Sequence, residues 1–100
     1  MADKLTLNKI IAELSMLKPI LAERFGITGI AIFGSYANGI PTENSDLDIL
    51  ILEMKRKNGF TIASAGRFLS EHFQKKVDLG LYDSLRLFIK QQIKDNIIHV

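Results

Sequence analysis

The sequence predicts an α/β (α+β) fold in which a small mixed β-sheet packs against helices. Short apolar runs at 29–33 and 49–52 are typical of buried strands, and residues 77–81 predict a third strand. Longer stretches beside these runs repeat apolar residues at helical spacing, which favours helices that cover the sheet. We assign residues 1–100 to a single domain, because no internal repeat, low-complexity tract or linker divides the chain.

The first element is an amphipathic helical region over 5–25. Pro19 lacks the N–H for an interior helix bond, so the region is either one kinked helix or two helices. Gly26 predicts a left-handed helix end, and the β-branched residues that follow predict a strand through Phe33. The apolar stripe of the helical region consists of Leu7, Ile10, Ile11, Leu14, Leu17, Ile20, Leu21 and Phe25.

The middle of the chain alternates turns with a second strand. Gly34 and Ser35 follow the first strand, and residues 36–39 predict a short helical turn closed by an Asn-Gly pair. A polar loop at 41–45 leads into a strand over 46–52, with two aspartates at its beginning. We expect residues 53–59 to form an exposed connection.

The last part of the chain predicts helix, strand, helix and a short edge strand. The first of these helices spans 60–73 and begins near Phe60 or Thr61, and the strand spans 77–81. Asp83 or Ser84 is expected to cap the final helix, and 96–100 to form the edge strand. Four phenylalanines are expected in the core, namely Phe60, Phe68, Phe73 and Phe88.

Composition excludes several classes of protein. The chain has no cysteine, which rules out disulfides and thiolate metal sites and fits a reducing, cytoplasmic compartment. The opening residues 1–5 carry no export signal, and no apolar run approaches the roughly 20 residues of a membrane helix. Thirteen basic residues against 11 acidic ones give a net charge of +2, too little to predict a nucleic-acid partner.

Other polar residues have ordinary explanations. His72 and His99 have no partners at metal-ligand spacing, and the three cations at 55–57 fit a solvated turn. Tyr36 is left open, because its ring could lie near a ligand or beneath the turn.

Three aspartates form a candidate metal site. Asp46 and Asp48 are two positions apart in a strand, so they face one side with Cα atoms roughly 6.5–7 Å apart. Such a pair can bridge two Mg²⁺ ions in phosphoryl transfer. Asp78 lies between apolar residues of the third strand, where an uncompensated carboxylate is costly, so it is predicted as a third ligand. The alternatives are a solvated strand entrance for the pair and a lysine partner, Lys75 or Lys76, for Asp78.

Gly34 and Ser35 add a candidate phosphate site. Glycine lets the main chain approach a phosphate closely, and Ser35 offers a hydroxyl and an amide at the start of the helical turn. An isolated Gly-Ser pair is usually only a turn. Its occurrence between two strands, in a fixed order with the three aspartates, favours nucleotide binding.

The combined motif resembles the DNA polymerase β-like nucleotidyltransferase superfamily, and in particular its minimal nucleotidyltransferase (MNT) branch. The similarity covers nearly the whole chain, including Lys18-Pro19 and Gly59-Phe60. The residues that carry it are Phe33-Gly34-Ser35-Tyr36-Ala37, Gly39, Ser45-Asp46-Leu47-Asp48-Ile49 and Val77-Asp78-Leu79.

The resemblance implies a nucleotidyltransferase fold and transfer of AMP from ATP to a hydroxyl. It implies that Asp46 and Asp48 bind two Mg²⁺ ions, that Asp78 binds one of them and helps to deprotonate the acceptor, and that Gly34 and Ser35 hold the triphosphate. Members of the MNT branch are commonly antitoxins paired with HEPN-domain toxins, and some AMPylate a tyrosine of the toxin. The implied partner is therefore a HEPN-domain protein.

Two other functions remain open at this stage. Asn38 stands where many relatives have arginine, so a phosphate-facing cation is missing and an antitoxin that only binds its toxin is the main alternative. A small RNA-binding module is the third, although it predicts a basic face that this balanced charge does not provide.

Overall fold

A computed structural model of the protein describes residues 5–100. Residues 1–4, on which the predicted lack of an export signal depends, lie outside this range. The helices are α1 (Leu7–Phe25), α2 (Ser35–Asn38), α3 (Gly59–Phe73) and α4 (Leu87–Ile93). The strands are β1 (Ile27–Phe33), β2 (Leu47–Met54), β3 (Val77–Leu81) and β4 (Ile98–His99), with a 3₁₀ turn at Tyr82–Ser84.

The four strands form one mixed sheet in the order β3-β2-β1-β4. β1 is antiparallel to β2 and β4, whereas β2 and β3 run parallel. The parallel pair requires a crossover, which α3 provides. The predicted fold class is therefore confirmed, and the predicted edge strand at the C-terminus is the two-residue β4.

The core lies between one face of the sheet and helices α1 and α3. Strand alternation sends every second residue of β2 into it, and these residues are at most 1% exposed: Leu47, Ile49 and Ile51. These β2 residues pack against the predicted apolar stripe of α1. Four residues of that stripe are buried: Ile10, Leu14, Leu17 and Leu21. Asp48 lies between two inward-facing residues and therefore projects from the opposite face.

α1 is a single helix with Pro19 inside it, which settles the choice that the sequence left open. It begins after Thr6, whose hydroxyl accepts the Lys9 N–H at 3.2 Å. It ends at Gly26, where φ is +68°, as predicted for a left-handed stop. No helix within residues 5–100 is long and apolar enough to cross a membrane.

The start of α3 differs from the prediction. The helix begins at Gly59, one residue before the predicted Phe60, because the Asn58 side chain caps it by accepting the Phe60 N–H at 2.8 Å. The expectation that Phe60 is a core residue is wrong, since it is 88% exposed. In the first turn of the helix its ring projects into solvent, while Phe68 and Phe73 pack against the core.

The prediction for the last helix is also wrong at its start. Asp83 and Ser84 do not cap it but lie in the 3₁₀ turn, and α4 begins only after Arg86. Asp83 instead pairs with Lys57 at 3.0 Å. Phe88 was expected in the core and is 56% exposed, because α4 is a short helix with no buried residue.

Candidate active site

The beginnings of β2 and β3 bring the three aspartates to one edge of the sheet. Asp46 directly precedes β2, and Asp48 is the second residue of that strand. Asp48 is in register with Asp78 of β3, and neighbouring strands lie about 4.8 Å apart. The side chains of Asp48 and Asp78 therefore project side by side from the face of the sheet that α1 and α3 do not cover.

Gly34 lies directly against Asp48. Phe33, the last residue of β1, pairs with Asp48, and the chain then turns at Gly34 with φ +76° and ψ −153°. A Cβ atom at this position would overlap Asp48 Oδ2 and lie 3.0 Å from Asp48 Cγ. Only glycine fits, both for its backbone angles and for the space that the carboxylate occupies.

Ser35 begins α2 and is half-buried. Its carbonyl accepts the Ile40 N–H at 3.1 Å, and the Gly34 carbonyl accepts the Asn38 N–H at 3.0 Å. These bonds close the turn beside Asp48. Tyr36, which the sequence left open, is 3% exposed and belongs to the core beneath the turn. The Asn38 side chain is exposed.

The charge of Asp48 is poorly compensated. The pKa of Asp48 is raised above its usual 3.8, first by partial burial and then by repulsion from Asp78 and from Asp46. Within residues 5–100, neither Asp48 nor Asp78 forms an ion pair. Asp46 forms a long ion pair, in which Lys76 Nζ lies 3.8 Å from Asp46 Oδ2. A divalent cation would relieve this repulsion.

Asp78 lies in a different environment from the one predicted. Its carboxylate was expected in a costly apolar environment, but Asp78 is exposed on the outer face of β3. Its apolar neighbours Val77 and Leu79 project toward the core on the other side. Desolvation acts on Asp48 instead, and Asp78 contributes through its position beside it.

The carboxylates fit Mg²⁺ by the chemistry of their oxygens, but they do not form a closed metal cage. Within residues 5–100, no three His, Asp or Glu side chains stand close enough together to hold a metal ion as they are. Mg²⁺ is usually bound by one or two carboxylates together with waters and substrate phosphates. The arrangement therefore suits an ion that arrives with a phosphate ligand.

Two lysines at the entry to β3 were predicted only as possible ion-pair partners of Asp78, but among residues 5–100 neither pairs with it, and both contact the region around Asp46 instead. Lys76 lies near Asp46, and Lys75 Nζ donates to the carbonyl oxygens of Glu43 and Ser45. The signal in the sequence was their spacing, since Lys76 and Lys75 lie two and three residues before Asp78. Because β2 and β3 are parallel, this spacing places both lysines beside the start of β2.

Comparison with known proteins identifies the class. The model of the nucleotidyltransferase domain family matches residues 14–100. The chain is 34% identical over 96 residues to a Methanocaldococcus jannaschii protein provisionally named a protein adenylyltransferase, covering 95% of this chain and 98% of the relative. It is 32% identical to the protein adenylyltransferase MntA of Thermococcus cleftensis, covering 96% and 97% of the two chains.

A solved structure is also similar. It is described as the crystal structure of a toxin–antitoxin with AMP-PNP, and the match has a TM-score of 0.68 at 27% identity over 95% of this chain and 72% of that chain. Together with the fold and the motif, these matches show that the chain belongs to the nucleotidyltransferase domain family. More narrowly, it is similar over nearly its whole length to the protein adenylyltransferase MntA.

Proposed function

We propose that this protein is a Mg²⁺-dependent protein adenylyltransferase that transfers AMP from ATP to a tyrosine hydroxyl of a partner HEPN-domain toxin. By this modification it acts as the antitoxin. The observation that carries the proposal is the placement of Asp48, which is in register with Asp78 and lies against the bare main chain of Gly34. Burial and the charges of Asp78 and Asp46 raise the pKa of Asp48 at this position. The names of the similar adenylyltransferases and the AMP-PNP of the similar toxin–antitoxin support it.

Each residue has a role in this proposal. Asp46 and Asp48 would hold two Mg²⁺ ions, and Asp78 would be a further ligand of one of them. Bound Mg²⁺ supplies charge neutralisation of the phosphates and a lower pKa for a bound hydroxyl. Gly34 and Ser35 would hold the triphosphate through the main-chain N–H groups of this turn and the Ser35 hydroxyl. The missing side chain of Gly34 also lets the Asp48 carboxylate lie directly against this main chain.

The proposed reaction is a single displacement. The acceptor oxygen forms a bond to the α-phosphorus of ATP, while the bond from that phosphorus to the bridging oxygen of the β-phosphate breaks and pyrophosphate leaves. The acceptor proton passes to the Asp78 carboxylate, whose exposure leaves it open to an incoming protein. The compartment we propose is the cytoplasm.

The direct test incubates the protein and its toxin partner with Mg²⁺ and ATP labelled at either the α- or the γ-phosphate. Transfer of AMP labels the toxin from α-labelled ATP only. Asp46→Asn and Asp48→Asn should lose the label, and Asp83→Asn, a carboxylate outside the site, should keep it. An unlabelled toxin, or equal labelling with the Asp46 and Asp48 variants, contradicts catalysis.

The second candidate is an antitoxin that neutralises its toxin by binding alone. Several large apolar side chains favour it because they are available for a partner, among them Ile40 at 72% and Leu87 at 71% exposure. This candidate predicts that Asp46→Asn and Asp78→Asn still protect cells from the toxin at equal abundance. Loss of protection in both variants would favour the enzyme.

A further inference from the structure

The main chain on both sides of Asp46 is held by two consecutive residues of the turn between α3 and β3. On one side, Lys75 Nζ donates to the Ser45 carbonyl at 2.7 Å. On the other, the Leu47 N–H donates to the Lys76 carbonyl at 2.9 Å. Asp46 is thus the single residue between two anchor points, and one of these depends on a side chain.

Lys75 makes further contacts with the same region. Its ammonium also donates to the Glu43 carbonyl at 3.0 Å and lies 5.9 Å from the ring centre of buried Tyr36. Two of its three N–H donors therefore bind carbonyl oxygens of the loop that leads into β2. This half-buried ammonium joins that loop, the α2 turn and the entry to β3.

The loop has internal bonds that make such an anchor effective. The Ser45 N–H donates to the Thr42 carbonyl at 3.0 Å, and the Thr42 N–H donates to Ser45 Oγ at 2.8 Å. Residues 42–45 therefore form a closed turn, which Lys75 fixes to the sheet through its last carbonyl. Displacing the ammonium would remove the anchor on the Ser45 side of Asp46 and leave only the bond from the Leu47 N–H to the Lys76 carbonyl.

We propose that Lys75 is a positioning residue that holds the Asp46 carboxylate in place for metal binding by bonding to the Ser45 and Glu43 carbonyls. This inference rests on the proposed function, because it takes Asp46 to be a metal ligand. Lys75 touches neither metal nor nucleotide in this role. Groups that orient metal ligands typically contribute 10- to 100-fold to metal affinity.

The direction in which Mg²⁺ affinity changes when Lys75 is replaced distinguishes a positioning role from a simple effect of charge. Lys75 is a cation near a proposed cation site, so removing its charge would by electrostatics alone strengthen Mg²⁺ binding. Loss of positioning has the opposite effect and weakens binding. A variant that lacks the ammonium but keeps an apolar chain of similar length therefore gives opposite results under the two explanations.

The test measures Mg²⁺ binding to the full chain by calorimetry in the presence of AMP-PNP, for wild type, Lys75→Met and Lys75→Arg. We expect about tenfold weaker binding for Lys75→Met, at the low end of the usual range since the main chain rather than the carboxylate is held. Lys75→Arg should recover most of the affinity, because a guanidinium also donates to several carbonyls. Lys94→Met, an exposed lysine in the last turns of the chain, is the matched control and should bind as wild type does.

A second readout is amide hydrogen exchange at Ser45 and Leu47 without metal. The proposal expects faster exchange at Ser45 in Lys75→Met and wild-type exchange in Lys94→Met. If Lys75→Met does not fold, Lys75→Ala, which also lacks the donor, replaces it with the same expectation. Equal or tighter Mg²⁺ binding in the variant that lacks the ammonium overturns the positioning role, even if exchange is faster.

The two proposals fail in different ways. If wild type and Lys75→Met both bind Mg²⁺ and AMP-PNP equally, only the role of Lys75 is lost. If wild type itself binds neither, the nucleotidyltransferase proposal fails and the metal-positioning role fails with it.

Discussion

The two ends of the β2–β3 pair carry carboxylates in opposite electrostatic situations. Where the strands begin, Asp48 has two other aspartates as neighbours, and its pKa is raised by burial and by their charge. Beyond the ends of the same strands, Asp83 has Lys57 at 3.0 Å, and its pKa is lowered by that hydrogen bond and charge.

This difference shows where an added cation would be useful. The Asp83 carboxylate already has a cation, so a metal ion there would only displace a lysine. The Asp48 carboxylate has none within the described chain, and its negative neighbours make the ionised site unfavourable without a ligand. Environment, not residue type, separates a surface ion pair from a candidate catalytic site.

The largest difference between the two ends should appear in catalysis. Asp48→Asn should reduce the rate of AMP transfer about a thousandfold, since metal-bound charge stabilisation amounts to several kcal/mol and about 1.4 kcal/mol corresponds to a factor of ten. Asp83→Asn should leave the rate within about twofold. Single-turnover transfer of labelled AMP measures both, and a similar loss in the two variants would remove the distinction.

The next effect concerns the glycine beside Asp48. Gly34→Ala should destabilise the protein by about 1–3 kcal/mol, because its backbone angles belong almost exclusively to glycine. It should also weaken Mg²⁺ binding, because the new methyl group displaces the Asp48 carboxylate. Denaturant unfolding and calorimetry measure the two effects.

Gly39 supplies the control for this experiment. Its φ is +78°, yet a Cβ there would meet no atom within 4 Å. Gly39→Ala should therefore lose some stability while keeping wild-type affinity for Mg²⁺. Unchanged Mg²⁺ binding in Gly34→Ala would show that the contact with Asp48 does not matter for the metal.

A smaller effect is the pH dependence of the two ends. Because the folded pKa of Asp48 is raised, the folded state holds that proton more tightly than the unfolded chain does. Stability without metal should therefore fall as pH rises from 3.8 through the folded pKa of Asp48. Mg²⁺ affinity should rise over the same interval, because the metal binds the ionised carboxylate.

The measurement is a titration of unfolding and of Mg²⁺ binding from about pH 3.5, just below the usual aspartate pKa of 3.8, to about pH 7, for wild type and Asp48→Asn. Asp48→Asn should lack the fall in stability over this interval. An identical pH profile in the variant would contradict the assignment to Asp48.

The smallest effect is expected at the exposed pair. Asp83 has a lowered pKa, so its stabilising contribution is present above 3.8 and is lost as pH falls through its folded pKa. Asp83→Asn should change the melting temperature only slightly at neutral pH, because exposed ion pairs contribute little and are screened by salt. A large decrease, or a loss of Mg²⁺ binding, would show that the two ends are coupled.

Much of the fold followed from local pattern. Apolar runs marked β1 and β2, and Val77, Leu79 and Leu81 at every second position marked β3. The helical stripe marked α1, because burial on one face of a helix requires that periodicity. The errors lie where packing is weak. The expected positions of Phe60 and Phe88 in the core were wrong, since an apolar residue at a helix start has no face that must be buried.

The local order of residues was sufficient to identify the motif and to predict that Asp46 and Asp48 share one face, because residues two positions apart along a strand lie on the same face. It could not give the parallel register of Asp48 with Asp78, the overlap that makes Gly34 obligatory, or the bonds of Lys75 to the loop before Asp46. Those contacts join residues 14 to 32 positions apart in the sequence, and the antiparallel β1–β2 pair and the parallel β2–β3 pair determine them. Local spacing limits which residues can share a face, but only the packed sheet determines which of them meet.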